Sequence, residues 1–82
     1  MMIKCVAIKT KTKIYSLPKP NRHCDVIRLI IKEERNYDHD SIQGFLTNDD
    51  EFVDRKKALE IAFESGQITK SISSQLYSED LW

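Results

Sequence analysis

The sequence predicts a small α+β domain of order β-β-α-β-β-α, with a four-stranded antiparallel sheet and both helices on one face. Three observations carry this. Two short alternating segments open the chain. An amphipathic helical stripe follows a Pro-x-Pro break. The stretch Gln43–Gln67 then reads as strand, turn, strand, helix and stop. Eighty-two residues set a single domain, 1–82, with a limited core. The core size and the strand edges left open make a homo-oligomer, most simply a dimer, the expectation.

In residues 3–9, Val6 and Ile8 fall on one face and Cys5 and Ala7 on the other. Residues 12–17 alternate again, with Ile14 and Ser16 opposite Tyr15 and Leu17, so a hairpin turns around Lys9–Lys13. Pro18-Lys19-Pro20 ends the second strand, because proline donates no ladder hydrogen bond. Asn21 is the expected N-cap of a helix running to about Glu34. Its stripe is Val26, Ile27, Ile30 and Ile31, widened by Leu29. Asp25 in its first turn and Lys32 and Arg35 in its last suit the macrodipole.

After a polar loop from Asn36 to Ser41, strands are expected at Ile42–Thr47 and Glu51–Val53, around an Asn48-Asp49-Asp50 turn. Phe45 and Phe52 are expected in the core. Asp54 caps a second helix, Arg55–Ser65, whose small face is Ala58, Ile61, Ala62 and Ser65, and Gly66 stops it. Residues 67–75 read as irregular. Leu76 to Trp82 reads as a last short strand or an ordered tail.

Charged residues at 32% and hydrophobic ones at 40% indicate a globular chain. No apolar run reaches membrane-spanning length and no signal-peptide layout opens the chain, so no membrane is expected. Cys5 and Cys24 lack CxxC spacing and read as reduced thiols. Net charge is zero but uneven. Residues 1–35 carry nine Lys/Arg against three Asp/Glu, a net +6, and residues 36–82 carry four against ten, a net −6. Either folding intermixes the halves, or the asymmetry guides an anionic ligand or pairs subunits head to tail. Zero net charge argues against nonspecific coating of DNA.

The candidate ligand-binding residues are Arg22, His23 and Arg55. Arg22 and His23 stand at a helix entry, where free N–H groups and a guanidinium fork suit a phosphate or carboxylate. The structural alternative pairs Arg22 with the acidic tail and packs His23. Arg55 at the first turn of the second helix opposes the dipole, so it wants a partner, either Glu79 or Asp80 or a bound anion. The intramolecular pair is the expected one. Tyr15, Tyr37 and Trp82 are aromatics able to stack on a base, and His39 reads as solvated. Catalysis is not expected: the sequence has no nucleophile elbow, no phosphate-cradling glycine loop and no paired Cys/His metal set. No cofactor and no metal are expected either.

Several pieces taken together resemble a widespread family of small bacteriophage and prophage proteins. They are Arg22-His23, Gly44-Phe45, Phe52-Val53-Asp54-Arg55 with Ala58, Gly66-Gln67, and the tail Ser78-Glu79-Asp80-Leu81. Family members often carry Gly before the second Phe, where this chain has Asp49-Asp50-Glu51. Part of the pattern is also similar to phage anti-Thoeris sponges, which bind nucleotide signals made by host antiviral systems. The resemblance implies a phage-encoded protein acting in the host bacterial cytoplasm. Together with the Arg22-His23 helix entry and the basic N-terminal half, it makes a non-enzymatic protein that sequesters a small anionic ligand, a cyclic or ADP-ribose-type nucleotide, the first expectation. Two alternatives stand beside it: an inhibitor that binds a host enzyme or defence complex, and a replication accessory that touches nucleic acid.

Overall fold

The computed structural model describes residues 1–68 and 75–81. Trp82 and most of the expected irregular stretch of residues 67–75 lie outside them. The described elements are β1 (Ile3–Lys9), β2 (Ile14–Leu17), α1 (His23–Glu34), β3 (Ile42–Thr47), β4 (Phe52–Asp54) and α2 (Arg55–Glu64). A single 3-10 turn, Ser78–Asp80, replaces the short strand that was the alternative for the tail. The sheet is antiparallel throughout, in the order β2-β1-β3-β4.

Register follows the alternation in the sequence. Val6 pairs with Leu17 on one side and with Phe45 on the other, and Phe45 pairs with Val53. That row faces the helices, and with Ile8 and Tyr15 it joins Val26, Ile30, Ala58, Ile61, Ala62 and Leu76 in one buried cluster. α1 packs on β1 and β2, while α2 packs on β3 and β4 and reaches β1. The charged halves therefore stay side by side instead of intermixing. Ion pairs cross between them: Lys4 with Asp50, Lys11 with Asp38 at 3.3 Å, and Arg22 with Glu79 at 4.0 Å.

Local chemistry sets the boundaries. Arg22, not Asn21, is the N-cap of α1, and its backbone N–H donates to Asp25 Oδ2 at 2.9 Å. Asn21 turns back to the Pro18 carbonyl, and that contact holds it one place outside the helix. The buried stripe of α1 is His23, Val26 and Ile30. Ile31 is 47% exposed, so the stripe is rotated from the expected one toward His23. α2 follows expectation: Asp54 accepts the Lys57 N–H, and Ala58, Ile61 and Ala62 are buried. Its end is a Schellman motif, with Gly66 at φ 81, Gly66 N–H on the Phe63 carbonyl and Gln67 N–H on the Ala62 carbonyl. The Gln67 amide then clasps both backbone groups of Ile3, tying the end of α2 to the start of β1.

The hairpin between β3 and β4 closes on Thr47, whose hydroxyl accepts the N–H groups of Asp49 and Glu51. Asp50 takes the left-handed position at φ 62, a conformation that glycine adopts most readily. Phe52 is only half-buried and lies on the open face of the sheet, not in the core. Its ring covers Gly44: a Cβ on Gly44 would sit 2.8 Å from Phe52 Cζ and 2.2 Å from the Val53 carbonyl oxygen. Ile14 and Ile42 remain 45% and 48% exposed. By register they share this open face with Cys5, Ala7 and Leu46.

Candidate anion site at the start of the second helix

His23 is held by its place in the stripe of α1, seven residues before Ile30. Its ring lies edge-on to Phe45, with centroids 5.0 Å apart and planes at 81°. Nε2 is 2.7 Å from the carbonyl oxygen of Gly44. A carbonyl only accepts, so Nε2 carries the proton and Nδ1 is the acceptor. Arg55 Nη2 lies 3.4 Å from that Nδ1 and donates to it. Burial first, and then the Arg55 charge, hold the imidazole pKa below its usual range, against an opposing pull from Gly44 and Glu79. His23 is thus a neutral residue with both nitrogens committed, and it positions Arg55 without offering a free atom to a ligand.

Arg55 is the first residue of α2, immediately after β4. Its Nη2 also donates to Gln43 Oε1 at 2.7 Å, and Gln43 Nε2 donates to the Tyr37 hydroxyl at 3.1 Å. The guanidinium lies over the Tyr77 ring, 4.7 Å from its centroid, and the Arg55 carbonyl accepts the Leu76 N–H. One network thereby runs from Tyr37 through Gln43, Arg55 and His23 to Gly44. The expected partners Glu79 and Asp80 do not fill this role. Glu79 reaches Arg22 instead, and Asp80 accepts the Tyr77 backbone N–H. Among the described residues no carboxylate pairs with Arg55, and its Nε is buried without a hydrogen-bond partner.

The helix start sharpens the imbalance. The first turn of α2 is Arg55-Lys56-Lys57 and contains no acidic residue. Helix N-termini favour anions and disfavour cations, so this turn asks for a negative charge beyond the Asp54 cap. A cavity of about 540 Å3 opens here, with Arg55, Lys56, Tyr37, Ser41 and Gln43 on its wall. His39 also borders it. Arg22 and His23 do not, so the three residues named from the sequence do not surround one cavity. Arg22 is exposed at the α1 entry, 4.0 Å from Glu79.

Sequence reasoning named Tyr37 only as one of several rings able to stack on a base, and it missed Ser41 and Gln43. Only the pairing of β3 with β4 carries them to the start of α2. One signal was available: three consecutive cations follow an N-cap in a half of the chain that has only four.

Other chemistry is sparse. Both cysteines are free. Cys5 is buried, which pushes its thiol pKa up, and Cys24 is exposed. No group of three metal-ligating side chains occurs among the described residues, and no helix there is long and apolar enough to cross a membrane. A second cavity of about 490 Å3 lies beside Cys5, Ser16 and Leu46 on the open face of the sheet.

A family model described as the phage T4 y16D protein matches residues 2–82. No curated protein and no solved structure matches the chain.

Proposed function

The chain belongs to the phage T4 y16D protein family, and from that premise we propose a phage-encoded, non-enzymatic binding protein that sequesters a small anionic ligand. The ligand class in this reading is a nucleotide signal of host antiviral defence, cyclic or ADP-ribose-type, met in the host cytoplasm. The observation that supports it is Arg55, a partly buried guanidinium with no carboxylate partner among the described residues, facing a ligand-sized cavity at a cationic helix start. A buried charge without a counter-charge is costly, and a bound anion offsets that cost. Arg22 stands in this reading as an outer charge that attracts the ligand, and Gln43 as the residue that fixes Arg55, with His23 a weaker support beside it.

Calorimetry with a panel of cyclic and ADP-ribose-type nucleotides tests the proposal. Saturable one-site binding that Arg55→Ala abolishes is the expected result. Absence of heat across the panel, at protein concentrations well above micromolar, removes the sponge reading.

The uncovered sheet face, with Ile14 and Ile42 exposed, favours a second reading, inhibition of a host protein by direct contact. A pull-down from host lysate returning one stoichiometric protein, lost on Ile14→Lys, supports that reading over the first. Self-association belongs to the proposal as well. Light scattering that gives 9.6 kDa at micromolar concentration removes it.

A further inference from the structure

We propose that the cavity beside α2 takes a nucleotide-sized phosphate ester, its phosphoryl group held by the Arg55 guanidinium and the Ser41 hydroxyl and its aromatic ring lying against Tyr37. This inference rests on the binding reading above and assigns its contacts.

Two buried side-chain polar atoms lack a hydrogen-bond partner among the described residues, Ser41 Oγ and Arg55 Nε. Both belong to residues on the wall of the same cavity. Folded proteins pair nearly all buried polar groups, so two orphans on one cavity call for a common explanation. Both atoms are shielded from solvent as the side chains stand, so each side chain must turn toward the cavity to meet an acceptor there. A serine hydroxyl changes rotamer at little cost, so Ser41 turns into the cavity once an acceptor is there. Among the described residues Arg55 hydrogen-bonds through Nη2 alone while its plane lies over Tyr77, which leaves Nη1, and Nε once the side chain turns, to a ligand.

The remaining wall is also rich in donors. The Tyr37 oxygen accepts from Gln43, so its own proton is left to donate. Lys56 adds an ammonium. Gln43 Oε1 is taken by Arg55 and one Asp54 oxygen by the Lys57 N–H, and against the Asp54 carboxylate the wall sets the two cations Arg55 and Lys56. A donor-rich cavity fits ionised oxygens that carry no proton, and a phosphoryl group presents several of them together. The volume of about 540 Å3 lies within the range of small-molecule pockets, roughly 300–1,000 Å3, more room than a bare ion needs. Tyr37 and Ile42 supply the apolar wall a ring requires.

The test is calorimetry with adenosine monophosphate, ADP-ribose, ribose 5-phosphate and adenosine, on wild type, Ser41→Ala and Tyr37→Leu, with a melting curve for each. Wild type is expected to bind the phosphate-bearing probes and not adenosine. Ser41→Ala should weaken them about tenfold or more, the loss of one hydrogen bond to a charged group, while its melting temperature holds or rises because an unpaired buried hydroxyl is gone. Tyr37→Leu should weaken adenosine monophosphate and leave ribose 5-phosphate near its wild-type affinity. If Ser41→Ala binds as wild type does, the contact assignment falls and the binding reading stands. Adenosine binding as tightly as its monophosphate overturns the phosphoryl class. If no probe binds wild type, the inference falls, and the reading beneath it falls with it only when the cyclic nucleotides of the wider panel give no heat either.

Discussion

Replacing His23 probes the network that holds Arg55. His23→Leu keeps a buried side chain of similar volume but removes the proton on Nε2 and the acceptor at Nδ1. The Gly44 carbonyl, 2.7 Å from Nε2 in the folded chain, is left without that donor. An orphaned buried carbonyl costs about 1–3 kcal/mol. The Arg55 contact at 3.4 Å is long and adds little. For a domain of this size each kcal/mol moves the melting temperature by about 4–8 °C. His23→Leu should therefore melt roughly 4–24 °C lower at about pH 8, where a histidine is neutral.

His23→Gln restores an N–H aimed at Gly44 and should recover part of that loss. Neither variant titrates. In wild type the folded imidazole pKa lies below its ordinary 6.5, chiefly through burial and then through Arg55. The unfolded chain then binds the proton more readily. Stability from this group is complete above about pH 6.5 and is lost as the pH falls through that value toward the folded one, by up to about 1.4 kcal/mol per pH unit. Urea unfolding at several pH values between about 8 and 5.5 reads that slope, a range in which carboxylates stay ionised. Wild type should show the decline and both variants should lose it. A His23→Gln curve parallel to wild type would refute a neutral, buried His23.

Three further outcomes follow from the geometry. Gly44→Ala places a methyl 2.2 Å from the Val53 carbonyl oxygen, a backbone atom that cannot swing aside, and should destabilise by about 2–3 kcal/mol in urea unfolding. A loss under about 0.5 kcal/mol would mean that β3 and β4 are not so closely paired. Arg35→Gly should stabilise by about 0.5–1 kcal/mol, because Arg35 ends α1 in the left-handed region at φ 61. Arg22→Ala and Glu79→Ala, measured with the double mutant, should couple by under about 1 kcal/mol, since both side chains are exposed and 4.0 Å apart. A larger coupling would make Arg22 a structural residue of the tail instead of an outer charge for ligand.

The fold was legible because local signals agreed. Alternation in residues 3–9 and 12–17, the Asp54 cap and the Gly66 stop each specify one answer, and the chain adopts it with shifts of one or two residues. The stripe of α1 was misread because His23 counts as polar. Its spacing to Val26 and Ile30 is that of a buried face, and burial is possible because the Gly44 carbonyl meets its N–H. Phe52 was placed in the core by its hydrophobicity, although strand parity puts it opposite Phe45 and Val53. The site was legible only at Arg55, whose charge conflicts with its helix position. Its partner Gln43, and Tyr37 beyond Gln43, are distant in sequence, and Glu79 answers Arg22. Which of two arginines an acidic tail meets is decided by tertiary packing, which composition does not encode.

The most direct test of the account is an amide NMR titration of the whole chain with an ADP-ribose-type nucleotide. Binding at the Arg55 cavity predicts the largest shifts at Tyr37, Ser41, Gln43, Arg55 and Lys56, with the Arg55 Nε–H moving as it gains an acceptor. Shifts centred on Ile14, Ser16, Leu46 and Phe52 would contradict it, because they would place the working surface on the open face of the sheet.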